Sequence, residues 1–507
     1  MKNSVRYKKR SKRSRANKRR LVAIVVVAVV ALALWSLLRP HARATSEREP
    51  LSAPPRIAAR ATPAPAAWTA QELASLRDSL NADFSPALSD RYSLVVVDAS
   101  GRVIFDRRGS SAVTPASVQK LIVADAALHV LGPLYRFHTI FAAEHAPSPG
   151  GTLDGDLWLV GSGDPSLRSS DLRGGIAVLA RSGLKAIDGS IAVDSSTMSG
   201  PEINPDWDPS DAGEDFQVPT SAISIDDDTA EFRVYGGAPG TPARVTVVPE
   251  SRAVQLSGSV ETSVSSDNVI IAPQADNAFA LDGTIPEYTE EKFWLPVHDM
   301  PRYAGAVLDR MAKEAGISIA RPPLVAAAPL DTIVLWDHRS APLRALLGHM
   351  LFVSDNHYAE QMMRTLGVDA GGRGTDRDGL AAEMAFLRSE SIPSGGLHVV
   401  DGSGLAEENR VSALTLARIL SDAELTGNDL YSLLPAGGRD GTLKNYDFTT
   451  AFGRVRAKTG HLSDADSLAG YVTTMHHGRL SFAFMINDSP GDPDSAYVSA
   501  IDRLAEF

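Results

Sequence analysis

The sequence predicts an α/β (α+β) architecture: an antiparallel sheet flanked by helices, with β-rich domains inserted into it. Three observations predict it. Tyr92 to Asp98 and Arg102 to Asp106 are β-branched and aromatic runs joined across Ala99-Ser100-Gly101, a hairpin signature. The pattern returns some 360 residues later, where Leu468 to Met475 and Leu480 to Ile486 flank the His476-His477-Gly478-Arg479 turn, preceded by the strand-like run Gly453 to Ala457. Between these ends, from about Ala143 to Pro329, short strands and Gly/Pro turns dominate. The two ends of the chain must therefore fold together, with the insert extending from one edge.

In chain order, residues 1–20 hold eleven Lys or Arg and no acid, and Leu21 to Leu38 is an uncharged run of eighteen. That length is near the lower end of the roughly 17–25 residues that span a bilayer. The basic flank predicts a cytoplasmic tail at 1–20, a signal-anchor at 21–38 and the remainder outside. Ala42-Arg43-Ala44 resembles a small-x-small cleavage site, so a secreted, cleaved form is the alternative. Residues 39–67 are rich in Ala, Pro and Arg without apolar periodicity and read as a linker. The main module is expected at 68–142 and 330–507 and the inserted domains at 143–329. Within the module, Thr114-Pro115 marks a helix start before the apolar run Leu121 to Leu128. Leu343 to Met350 and His357 to Arg364 read as helices around a short turn, and Ala496 to Glu506 as a closing helix.

Three motifs lie on these elements: Ser117-Val118-Gln119-Lys120, Ser354-Asp355-Asn356 and Lys458-Thr459-Gly460. Each alone is weak. A second Ser-x-x-Lys occurs at Ser182 to Lys185, and a second Ser-Asp-Asn at Ser266 to Asn268. Gly183 disfavours a helix interior by about 1 kcal/mol relative to Ala, so the first decoy reads as a helix end. The second reads as a turn between strands. At the expected helix start Ser117 and Lys120 lie one turn, roughly 5 Å, apart on one face. There a lysine whose pKa is lowered by burial can take the proton of a serine nucleophile. The turn between two helices can aim Ser354 and Asn356 into a cleft, Ser354 to pass a proton between Lys458 and the leaving amine and Asn356 to hold a substrate amide. Lys458 and Thr459 on a strand edge suit a substrate carboxylate. Gly460 lets the backbone approach a ligand, and the His461 N–H is a candidate oxyanion donor beside that of Ser117.

The order and contexts of these motifs resemble the low-molecular-mass penicillin-binding proteins of the D-Ala-D-Ala carboxypeptidase/endopeptidase type. The 237-residue gap between Ser117 and Ser354 fits, since that family carries large domains there. So do Gly161-Ser162-Gly163-Asp164-Pro165-Ser166-Leu167, Asp401-Gly402-Ser403-Gly404-Leu405 and Leu434 to Leu443. The resemblance covers most of residues 75–507. It implies a penicillin-binding/β-lactamase-like transpeptidase fold and a serine DD-peptidase acting on peptidoglycan stem peptides. It also implies an acyl-enzyme on Ser117, covalent inhibition by β-lactams, and no cofactor or metal. Two departures stand out. Asp-Gly-Ser-Gly-Leu is usually followed by Ser-Arg, where this chain has Ala406-Glu407, reversing a charge that helps hold a diaminopimelate carboxylate. Lys-Thr-Gly is usually followed by Ser or Thr, where this chain has His461.

Composition excludes other classes. The chain has no Cys, hence no disulfide, thiol nucleophile or cysteine-ligated zinc. It has no His-Glu-x-x-His and no Gly-x-Ser-x-Gly elbow. Its net charge is −11, and the body beyond the basic tail carries about twice that, which argues against nucleic acid as a partner. The competing readings are a catalytically weak wall-binding scaffold of the same fold and a β-lactamase.

Overall fold

Segments far apart in sequence meet in one five-stranded antiparallel sheet. Its order is Val103–Arg107, Arg91–Val97, Arg479–Asn487, Ala465–Thr473 and Val455–Leu462. The structure, a computed structural model, describes residues 65–507, which form one unit by their internal contacts. The tail at 1–20, the anchor at 21–38 and nearly all of the linker at 39–67 lie outside the described residues. Among the described residues no helix is long and apolar enough to cross a membrane.

Period-two side-chain alternation assigns the sheet two cores. Leu94, Val96, Phe482 and Phe484 pack with Leu76, Phe84, Tyr497 and Leu504 of helices Ala70–Phe84 and Pro493–Glu506. Val95, Val97, Ala483 and Met485 pack on the other face with Leu121 and Leu420 of helices Lys120–Val130 and Ala413–Thr426. Helices Leu343–Val353, Asn356–Asp369 and Asp376–Ser389 extend that second layer. Because both faces are covered, the strands read as continuous apolar runs. Helix Ala70–Phe84 was not anticipated, although its start carries a capping box. Glu72 N–H donates to Thr69 Oγ1 (3.2 Å) and Thr69 N–H to Glu72 Oε2 (2.8 Å).

The insert has its own core under a second five-stranded sheet, ordered Leu324–Val325, Ile191–Asp194, Leu157–Val160, His138–Ala143 and Ile333–Arg339. Residues 138–142 and 333–339, expected in the main module, thus pair with each other in the insert's sheet. Two helices, Ser169–Arg181 and Met300–Glu314, pack on it. Further strands between 229 and 296 form two smaller sheets. The segment between the strand ending at Asp194 and the one starting at Thr229 returns to the main module. There Asn204 Nδ2 donates to Val400 O (2.8 Å), Gln361 Nε2 to Ser221 O (2.8 Å) and Arg364 Nη1 to Thr220 O (3.1 Å).

Phe484 is fully buried between the sheet and helix Ala70–Phe84, with its ring edge-on to Phe84 at 4.8 Å. Phe484→Ala is expected to destabilise the protein by about 3–5 kcal/mol in urea unfolding. Val264→Ala, at a 69% exposed position in the insert, is expected to change it by less than about 0.5 kcal/mol.

Candidate active site

Ser117 stands on a 3₁₀ turn, Ala116–Gln119, that runs directly into helix Lys120–Val130. The expected α-helical start is therefore tighter than α. In a 3₁₀ turn residues i and i+3 eclipse, which brings Lys120 over Ser117. The turn is set by Ala116 at φ +50°.

Lys120 is fully buried, and its Nζ lies 3.0 Å from Ser117 Oγ, 2.7 Å from Asn356 Oδ1 and 2.8 Å from Ser403 O. An ammonium has three N–H donors and would spend one on each acceptor. A neutral amine has two, which the amide and the carbonyl take, leaving its lone pair for the Ser117 hydroxyl. Burial lowers the Lys120 pKa to about 8, partly offset by the charges of Asp401, Glu360 and Asp355. The arrangement can therefore accept a proton from Ser117 near neutral to mildly alkaline pH.

Strand Val455–Leu462 is the sheet edge nearest this turn, and its backbone polarity can be read off its neighbours. Ala457 N–H donates to Pro435 O (3.2 Å), and Val455 O accepts from Gly437 N–H (3.0 Å), so these residues face away from the adjacent strand. The pairing register is unbroken from Val455 to Leu462. By period two, Thr459 and His461 present their N–H groups to the same open edge. A Cβ on Gly460 would lie 2.8 Å from Ser117 N and 2.9 Å from Pro115 O, so only glycine allows this approach. Ser467 Oγ donates to Pro115 O (2.6 Å) and ties the neighbouring strand to the Ser117 turn.

Lys458 is fully buried, and burial first, then the nearby Lys120 charge, pushes its amine well below the usual lysine range. Its Nζ donates to Thr459 O (2.5 Å), and Thr459 Oγ1 donates to Thr442 Oγ1 (2.9 Å). Ser354 caps helix Leu343–Val353 at φ +66°, in the expected turn between two helices. Among the described residues its hydroxyl makes no hydrogen bond, so a Ser354–Lys458 bond is not formed here. Asn356 opens the next helix, with Oδ1 on Lys120 and Nδ2 donating to Phe216 O (2.9 Å), a carbonyl of the insert.

The His461 side chain is 80% exposed and lies beside Asp466, Nδ1 to Oδ1 2.5 Å. Glu407 is exposed at a cavity of about 230 Å³, also lined by Arg91, Thr114, Arg410, Leu462 and Asp464. Ser463 Oγ donates to its carboxylate (3.3 Å). Arg410 donates to Thr114 Oγ1 (2.9 Å) and to Glu407 O (2.6 Å), so this cavity carries cations beside the reversed charge. The decoys fall outside this cluster: Ser182 caps helix Ser169–Arg181, and Ser266 lies between strands Glu261–Ser263 and Asn268–Pro273. Sequence reasoning missed the Ser403 carbonyl, the Phe216 carbonyl and Thr442. Two of these act through backbone atoms, which carry no side-chain signature.

An antiparallel sheet between helical layers, with a serine–lysine turn facing a Lys-Thr-Gly edge, is the fold of the penicillin-binding serine peptidases. The model of the D-Ala-D-Ala carboxypeptidase 3 (S13) family matches residues 74–506, and the chain belongs to that family, as a serine-type hydrolase. It is 32% identical over 472 residues to the D-alanyl-D-alanine carboxypeptidase of Actinomadura sp. (strain R39), covering 88% of this chain and 87% of that one. Among solved structures it is similar to penicillin-binding protein 4 (dacB) of Haemophilus influenzae, with a TM-score of 0.73 and 25% identity, over 85% of this chain and 99% of that one. A complex of the same Haemophilus protein with a novel β-lactam matches with a TM-score of 0.68 and 24% identity, over 83% and 98% of the two chains.

Adding a methyl group at the strand edge tests the close approach. Gly460→Ala is expected to slow acylation of Ser117 by about 100-fold or more, as for loss of an oxyanion donor. The check is adduct formation by intact-mass spectrometry, with the thermal melt as control for folding.

Proposed function

We propose that the chain hydrolyses D-Ala-containing stem peptides of peptidoglycan through an acyl-enzyme on Ser117, and that penicillins trap it there. The observation that carries this reading is the contact between Ser117 Oγ and the fully buried Lys120 Nζ (3.0 Å). Neutral Lys120 takes the Ser117 proton as Oγ bonds to the carbonyl carbon of the D-Ala peptide bond. The Ser117 and His461 N–H groups stabilise the oxyanion. The C–N bond breaks as the proton taken up by Lys120 passes by way of Lys458 and Ser354 to the leaving amine; water then attacks the ester, and one of its protons returns through Lys120 to Ser117 Oγ. Release of free D-Ala makes the reaction a carboxypeptidase step; release of a neighbouring stem's side-chain amine makes it an endopeptidase step. Asn356 holds the substrate amide, exchanging its bond to Phe216 O for one to substrate, and Lys458 with Thr459 faces the substrate carboxylate. Glu407 reads the side chain at the third stem position.

The reading places the enzyme in the cell envelope, held by the 21–38 segment with its N-terminus inside, or secreted if cleaved near Ala44. Family membership supports envelope placement; the apolar run and its basic flank support the anchor.

Penicillin exposure of the full chain is expected to give a stable adduct mapping to Ser117 and none in Ser117→Ala, whose melt stays unchanged. Persistent labelling of Ser117→Ala contradicts the assignment; a folded wild type without adduct supports the scaffold, and rapid drug turnover a β-lactamase. The acylation rate is expected to rise with pH and level off above about 8, because the base works only when neutral and burial lowers its pKa to about 8. A pH-independent rate contradicts Lys120 as the base. Glu407→Arg is expected to raise kcat/KM for diaminopimelate peptides relative to lysine peptides, and an unchanged ratio contradicts its role.

A further inference from the structure

One turn beyond Asn356 on the same helix, Glu360 is buried, with only 1% of its surface exposed. It accepts hydrogen bonds from Ser403 N–H (2.8 Å to Oε1) and from Gly402 N–H (3.1 Å to each carboxylate oxygen). The carbonyl of that same Ser403 accepts from Lys120 Nζ (2.8 Å). Helix Asn356–Asp369 thus grips the lysine twice, directly through Asn356 and through the Glu360-anchored loop. The loop is also fixed from within. Asp401 accepts from Gly404 N–H (2.8 Å), Ala406 N–H (2.7 Å), Asn409 Nδ2 (2.9 Å), Gln119 Nε2 (3.1 Å) and, from the insert, Trp207 Nε1 (3.0 Å).

A third carboxyl completes the cluster. Glu383 on helix Asp376–Ser389 is as buried as Glu360, and among the described residues neither of its oxygens has a hydrogen-bond partner. A carboxyl with no donors is the one that stays neutral: burial, then the Glu360 and Asp401 charges, push it well up. Burial, then the Asp401 and Asp376 charges, push Glu360 up as well. The Gly402 and Ser403 N–H groups nonetheless cover both of its oxygens, and among the described residues its hydrogen-bond partners include no acceptor for a carboxyl proton, so the geometry holds it as the carboxylate. Asp376 is itself paired with Arg364 (2.6 Å).

We infer that Glu360 is a positioning residue for the Ser117–Lys120 pair: its carboxylate holds Gly402 and Ser403 so that the Ser403 carbonyl aims at Lys120, and its negative charge stabilises the ammonium formed when Lys120 accepts the Ser117 proton. A buried ammonium without a counter-charge is costly. Lys120 is faced by Lys458 from the edge strand, Asp355 from the turn, Asp401 from the loop and Glu360 from the helix. The Lys120 charge disfavours a second charge on Lys458, and the three acids support the ammonium. Glu360 alone joins that charge to the hydrogen-bonded chain Ser403–Lys120.

The inference rests on the proposed acyl-enzyme and is tested by the pH dependence of the second-order rate of acylation by a penicillin. The comparison is of full-length wild type, Glu360→Gln and Glu360→Asp, each checked by thermal melt. In Glu360→Gln the acid limb is expected to move to lower pH by about one unit, because removing a negative charge makes Lys120 easier to deprotonate, and the plateau is expected to fall. Glu360→Asp keeps the charge but withdraws it by one methylene. Its limb is expected to stay in place while its plateau drops roughly 10–100-fold from misplacement of the loop. An unmoved limb in Glu360→Gln, or a limb moved equally in Glu360→Asp, overturns the inference. If Glu360→Gln does not fold, the Glu360→Asp plateau decides: an unchanged plateau overturns the inference. A wild type that forms no adduct at any pH overturns the proposed function and this inference together; an adduct with an unmoved limb in Glu360→Gln overturns only this one.

Discussion

Keeping a lysine amine fully buried against a serine hydroxyl is the constraint on which the rest of this structure depends. An ammonium out of water costs several kcal/mol unless it is paired or loses its charge. Every element around Lys120 addresses that cost. The 3₁₀ turn stacks the amine over Ser117, Asn356 and Ser403 accept its N–H groups, and Glu360 and Asp401 supply negative charge at one remove. The fully buried Lys458 meets the same cost by the other route: burial first, then the nearby Lys120 charge, pushes its amine toward the neutral form. A group poised between charged and neutral states at working pH is what a general base requires.

The sheet and the insert serve the same geometry from opposite sides. Two apolar layers fix the sheet, so its edge strand can run within backbone distance of Ser117 at Gly460 without drifting. The insert is more than an appendage: its returning segment donates Trp207 Nε1 to Asp401 and offers the Phe216 carbonyl to Asn356. Both contacts end on residues one step from Lys120. Ser117 and Ser354 stand 237 positions apart in sequence, and the chain between them therefore passes the site again in space.

Much of this was legible in the sequence. The terminal hairpins, the helix–turn–helix around Ser354 and the edge strand bearing Lys458 follow from β-branched runs, turn residues and motif order. The five residues expected to carry the chemistry lie in the same region, with Ser117, Lys120 and Asn356 in direct contact. Other features were not legible, for identifiable reasons. Helix Ala70–Phe84 has a weakly apolar sequence, and its one clear signal was the Thr69-Ala70-Gln71-Glu72 capping box. The strands at 138–143 and 333–339 look like module strands, because their partners are decided by a tertiary crossover that no local pattern encodes. The Ser403 and Phe216 contacts are made by carbonyls and so are silent in residue type. Glu360 was within reach, since its spacing of four from Asn356 puts both on one helical face. Glu407 shows the limit of reading a single position: its acidic side chain shares a cavity with Arg91 and Arg410, which come from other elements.

The central claim is that Lys120 is a neutral base under mildly alkaline conditions in the free enzyme. NMR titration of ¹³C-lysine-labelled protein, with the resonance assigned by its loss in Lys120→Met, measures this directly. The account expects a midpoint near 8 for that side chain. A midpoint at the ordinary lysine value of about 10.5 would mean that Lys120 is charged when acylation begins, and the mechanism built on it would not stand.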